Sequence, residues 1–115
     1  MPKESTPSPP GMRFIRSHIR AKLYRLTKHV TITRLERGIS VAEMERVLMD
    51  GEIIERYPDA QPYPACLVLG WLDSGDPLHV VCSRGDLEPA LRIVTVYEPD
   101  DALWENDYKT RRRKK

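Results

Sequence analysis

The chain has 115 residues, 19 of them Lys or Arg, 17 Asp or Glu and three His, for a formal net charge of +2. That length fits one small domain. No apolar run approaches the roughly 18 residues of a membrane span, and the first eleven residues lack the apolar stretch of a secretory signal. A cytoplasmic protein is expected, with Cys66 and Cys82, both inside apolar strand patterns, as buried free thiols rather than a disulfide or a metal pair.

Residues 1–11 hold four prolines and no apolar residue beyond Met1, too little to offset the entropy of ordering, so a disordered leader is expected. From Met12 onward, Met12, Ile15, Ile19 and Leu23 recur at helical spacing with arginines between them, which predicts an amphipathic helix over 12–23. Tyr24 to Leu26 reads as a short extended link. Thr27 can cap a second helix whose stop is Gly38. Ser40 and Glu43 match a capping box and predict a third helix over 41–50, with Val41, Met44, Val47 and Leu48 inward and Gly51 as its stop.

After Gly51 the period changes. Runs at 53–57, 65–72, 78–83 and 91–97 are rich in β-branched and aromatic residues and are separated by Pro, Gly, Asp and Ser, the composition of four strands. Asp73-Ser74-Gly75-Asp76 is a hairpin signal, and a turn centred on Ser74 and Gly75 sets Gly70 across from His79, leaving the imidazole room. Along the last strand Leu91, Ile93, Thr95 and Tyr97 share one face and Arg92, Val94 and Val96 the other. The segment Glu98 to Trp104 is expected to fold back over the sheet edge on Leu103 and Trp104. The predicted class is α+β, with N-terminal helices packed on a four-stranded, mainly antiparallel sheet. A single domain over 12–108 is expected, followed by a basic tail over 109–115.

Charge is segregated along this chain. Residues 12–37 carry eight Lys or Arg against Glu36 alone, whereas residues 98–107 carry five acids and no Lys or Arg. A basic region of this kind suits polyanions. His29, Thr33 and Arg37 are four apart, so a helix aligns them in one stripe with Arg34 close by. An imidazole, a hydroxyl and guanidinium groups can bind a phosphate and donate a proton; the same stripe also fits the solvent face of a short helix. His79, between Leu78 and Val80, must be either exposed on an open sheet face or buried and hydrogen-bonded. Tyr97 could bond a phosphate or merely pack, and His18 reads as solvated. No HExxH, GxSxG, CxxC or glycine-rich phosphate loop occurs, and no metal or cofactor is expected.

Five blocks, in order, resemble a known family: Tyr24-Arg25-Leu26-Thr27-Lys28-His29, Glu36-Arg37-Gly38-Ile39-Ser40, Gly51-Glu52-Ile53-Ile54-Glu55-Arg56-Tyr57-Pro58, Pro77-Leu78-His79-Val80-Val81 and Ile93-Val94-Thr95-Val96-Tyr97-Glu98-Pro99-Asp100. Together they resemble the small bacterial domain-of-unknown-function family 4258. The resemblance implies a compact α+β ribonuclease toxin related to the RelE, barnase and colicin nuclease group, whose members are often encoded beside a YgiT-type zinc-finger antitoxin. His29, Arg37, His79 and Tyr97 match the family's polar pattern. The chain departs from it at Thr33, where an arginine is expected one turn after the histidine, with Arg34 next to it.

The resulting expectation is a metal-independent endoribonuclease, the toxin of a toxin–antitoxin pair, in which the RNA 2′-hydroxyl attacks the adjacent phosphate. His29 and His79 would open onto one cleft and transfer protons, either one as acid or base. Arg37 with Arg34 would hold the phosphate, Lys28 and Thr33 would contact RNA, and Tyr97 would bond the transition state. The alternative is a non-catalytic protein- or nucleic-acid-binding module with the same fold, in which the histidines only pack.

Overall fold

Ile15 and Ile19 stand one turn apart on α1 (Met12–Arg20) and are both buried, as the amphipathic pattern predicts. The computed structural model describes residues 8–113, so most of the expected leader lies outside the described residues; Pro10 is buried and Gly11 is the N-cap of α1. The helix ends at Arg20, short of the predicted 23. Leu23 N–H donates to His18 O at 2.8 Å and Lys22 N–H to Ile19 O at 3.0 Å, with Lys22 at φ 61°. This left-handed cap turns the chain out of the helix and leaves Leu23, expected inward, 46 % exposed.

In α2 (Lys28–Glu36), Thr27 accepts the Val30 N–H at 3.3 Å and donates its own hydroxyl to Val94 O at 2.8 Å, so the expected cap also ties the helix to the sheet. Gly38, at φ 70°, reverses the chain and brings Ile39 into the core. In α3 (Val41–Met49), Ser40 accepts the Glu43 N–H at 3.0 Å. The reciprocal half of the capping box is not made, because the Glu43 carboxylate accepts the Asp73 N–H at 2.7 Å and fastens α3 to a sheet turn. Met44, Val47 and Leu48 are buried, while Val41 is half-buried.

The sheet has the order β1-β5-β4-β3-β2. The four expected strands are β2 (Glu52–Tyr57), β3 (Ala65–Trp71), β4 (Pro77–Arg84) and β5 (Leu91–Tyr97), an antiparallel meander. The Tyr24–Leu26 link is a fifth strand, β1, parallel to β5, so the sheet is five-stranded and mixed. Parallel pairing needs a long crossover, and α2, α3 and the meander supply it.

Two sequence registers are corrected. His79 pairs with Leu69, and Gly70 with Leu78. The turn closes through Leu72 N–H to Asp76 O and Gly75 N–H to Leu72 O, both 2.8 Å, with Gly75 at φ 94°, and so is centred on Ser74. Gly70 faces the helices instead, where a Cβ would lie 2.5 Å from Val47 O. In β5, Val81 pairs with Thr95 and Cys82 with Ile93, so Val94 is an extra, bulged residue. The bulge breaks the alternation: Leu91, Ile93 and then Val96 enter the core under the helices, and Thr95 and Tyr97 turn to the other face.

Helices cover one face, where Ile15, Val30, Met44, Val68, Leu78, Val80 and Ile93 form the core. Cys66 and Cys82 pair within it as free buried thiols; burial pushes the Cys66 thiol up to about 12 and Cys82 well above the usual thiol value. Residues 98–113 cross the opposite face rather than the edge, because Leu67, Leu69 and His79 there need cover. Trp104, 2 % exposed, is the anchor, and it forms a β-bridge with Arg111. The fold therefore continues past the expected boundary at residue 108.

Candidate functional site

Alternation along β4 sends Leu78 and Val80 into the helical core and His79 to the second face, where it is 0 % exposed. Its Nε2–H donates to Tyr108 O at 2.7 Å, its Nδ1 accepts from the Tyr97 hydroxyl at 3.2 Å, and the Trp104 ring meets it edge-on at 4.6 Å. Burial lowers its pKa below the usual histidine value, against the opposing pull of the Tyr108 carbonyl and of Glu55. The imidazole is neutral, with both nitrogens satisfied. Burial likewise raises the Tyr97 hydroxyl.

Beside this pair, Arg111 grips Glu55 with Nε–Oε2 2.7 Å and Nη2–Oε1 3.0 Å, and the Tyr57 hydroxyl donates to Glu55 Oε1 at 2.5 Å. The Arg111 bond holds the Glu55 carboxyl below its ordinary range, and burial pushes Tyr57 up to about 12. Arg111 also lies over the Trp104 ring at 4.5 Å. Lys109 pairs with Glu52 at 3.2 Å and Arg112 with Glu105 at 3.2 Å, so with Arg111 three of the four described basic residues of the expected tail are held by carboxylates, while Arg113 is exposed without an ion pair among the described residues. Lys114 and Lys115 lie outside the described residues.

His29 and His79 do not share a cleft. Val30 is buried in the same core as Leu78 and Val80, which places α2 on the helical side, and His29 is exposed there while His79 faces the other way. Lys28 is exposed and Thr33 half-buried. Arg34 donates Nη1–H to Ile39 O at 3.1 Å, with its buried Nε unpartnered, and Arg37 pairs with Glu98 at 3.0 Å. Among the described residues, the one side-chain hydrogen bond between two expected site residues joins His79 to Tyr97. His18, expected to be solvated, is half-buried against Phe14 and Glu88.

A different place on the second face is open. Arg25 and Arg92 are register partners across β1 and β5, each facing away from its buried strand neighbours. The Arg92 guanidinium lies over the Tyr63 ring at 5.4 Å. These three residues, with Gly85, Asp86 and Leu87, line a cleft of about 390 Å³. Among the described residues, neither arginine has a carboxylate within ion-pair distance. Ser83, the other neighbour of Arg92, is 3 % exposed and its hydroxyl has no partner. The sequence signal was an arginine alternating with apolar strand residues at both 25 and 92; their meeting depends on the parallel pairing of β1.

Among the described residues no group of three His, Cys, Asp or Glu side chains is placed to hold a metal, and no helix is long and apolar enough to cross a membrane. A family model described as "Domain of unknown function (DUF4258)" matches residues 26–98, more than half of the chain. The chain belongs to this family. No curated protein and no solved structure matches it. The DUF4258 match runs from the end of β1 to the end of β5, and so contains His29, Arg37, Glu55, His79, Arg92 and Tyr97. Arg25, Trp104 and Arg111 lie outside the DUF4258 match but belong to the same fold.

Proposed function

We propose that this domain binds single-stranded RNA at the Arg25–Arg92 cleft, as a binding module that leaves the RNA uncut. The observation that carries this reading is the pairing of Arg25 with Arg92, two guanidinium groups in register with no acid partner among the described residues. Like charges directly opposite one another across strands repel. A phosphate seated between them relieves that repulsion and accepts from forked donors that match its oxygens. The Tyr63 ring beside them favours a strand whose bases are free to stack.

Acid–base cleavage has less support. A general base must reach the proton it takes, and His79 exposes no surface and has both nitrogens bonded, while His29 stands on the far side of the sheet. The test is anisotropy of a labelled single-stranded RNA over a salt series. Arg25→Ala and Arg92→Ala should each weaken binding and flatten the salt slope by about 0.7 per lost contact, whereas Arg20→Ala on α1 should not. Unchanged affinity in both cleft variants would overturn the proposal. RNA cleavage that His79→Ala abolishes in a folded protein would restore the nuclease reading.

A further inference from the structure

The cleft holds more than charge. Resting on the RNA-binding reading above, we infer that it is a pocket for one nucleotide: a base stacks against Tyr63 and Arg92, its phosphate sits between Arg25 and Arg92, and Asp86 accepts from its amino or ribose hydroxyl groups. A volume of about 390 Å³ falls in the range of small-molecule sites, about 300–1,000 Å³. A surface that merely attracts polyanions needs no cavity and no aromatic wall. This one has both.

Each part answers to a different piece of a nucleotide. The Arg92 guanidinium lies within cation–π range of the Tyr63 phenol, 5.4 Å from its centroid, and both kinds of plane stack nucleobases. Leu87, 79 % exposed, is an apolar residue on the cleft wall. Asp86 is the acidic member of the lining and has no ion pair with either arginine. A carboxylate accepts and cannot donate, so it favours N–H and O–H groups and discourages a second phosphate at its end of the cleft. Gly85 lies beneath: a Cβ there would stand 3.5 Å from the Tyr63 ring and 3.6 Å from the Arg92 side chain, ordinary contact distances. A methyl group is therefore tolerated at this position, and a longer side chain fills the space a base would take.

Competition against labelled RNA tests the pocket with three probes: adenosine 5′-monophosphate, ribose 5-phosphate and inorganic phosphate. The adenine nucleotide should compete at least about fivefold better than ribose 5-phosphate, since stacking one base is worth about 1–3 kcal/mol, or roughly 5- to 150-fold. Gly85→Leu should remove that preference with both arginines in place, and Gly85→Ala should keep it. Tyr63→Leu should remove it as well, with thermal melts confirming a folded chain. Equal competition by the nucleotide and ribose 5-phosphate, or a preference untouched by Gly85→Leu, overturns the pocket. In that case RNA binding that still falls in Arg25→Ala and Arg92→Ala leaves the parent reading standing, and RNA binding indifferent to both arginines removes the parent reading too.

Discussion

His79 donates its Nε2–H to the backbone carbonyl of Tyr108 at 2.7 Å, so a histidine in the middle of β4 fastens the C-terminal segment to the sheet. The bond joins residues that are 29 apart in the chain and, with the Tyr97 hydroxyl on Nδ1, leaves neither ring nitrogen free for proton transfer. In this protein the imidazole holds the fold.

Stability should show this directly. His79→Ala leaves a cavity beside Trp104 and strips the partners from the Tyr97 hydroxyl and the Tyr108 carbonyl, so unfolding free energy should fall by about 2–4 kcal/mol. Urea titration measures it, and a loss under about 0.5 kcal/mol would contradict a structural histidine.

The same histidine sets a pH dependence. Its folded pKa lies below the ordinary 6.5, so the folded state resists a proton that the unfolded chain accepts. Its contribution is complete above pH 6.5 and is lost as pH falls from there through the lowered folded value. Glu55 is also lowered, so its own contribution is complete above 4.5 and fades at more acid pH. Melting temperature should therefore decline between pH 7 and 5 in the intact chain, and His79→Gln should flatten that decline; parallel curves would refute the assignment.

The C-terminal segment should behave as part of the core. Trp104→Ala should cost about 3–5 kcal/mol. Arg111→Ala, losing a partly exposed ion pair, should cost at most about 1 kcal/mol. Hydrogen exchange should find the amides of 104 and 112 protected, since they donate to Asp100 O and Leu103 O. Rapid exchange at both would mean that the segment does not dock.

Gly70 and Gly85 should separate sharply. At Gly70 a Cβ meets the Val47 carbonyl at 2.5 Å, and helix backbone cannot yield cheaply, so Gly70→Ala should destabilise by about 1–3 kcal/mol. Gly85→Ala, with room at 3.5 Å, should change stability by less than about 0.5 kcal/mol. Denaturant midpoints of the two variants decide it.

Local chemistry was legible in the sequence. The Thr27 and Ser40 caps, the Gly38 stop and the four meander strands depend on residues within a few positions of one another, and they formed as the spacing predicts. The cluster of Tyr97 with His79 is half legible, since the sequence reading places both in one site but with His29 and a phosphate, where the structure has Trp104 and Tyr108. Tertiary structure decided the rest. One bulge at Val94 reversed the outward face of β5, a turn centred one half-residue away moved Leu69 opposite His79, and the parallel pairing of β1 brought Arg25 to Arg92. The period of two in a strand makes a single-residue shift swap every face beyond it. Pairing between distant strands depends on contacts that no local window contains, so the sequence by itself determined the elements and their caps, and only the assembled sheet decided which side chains meet.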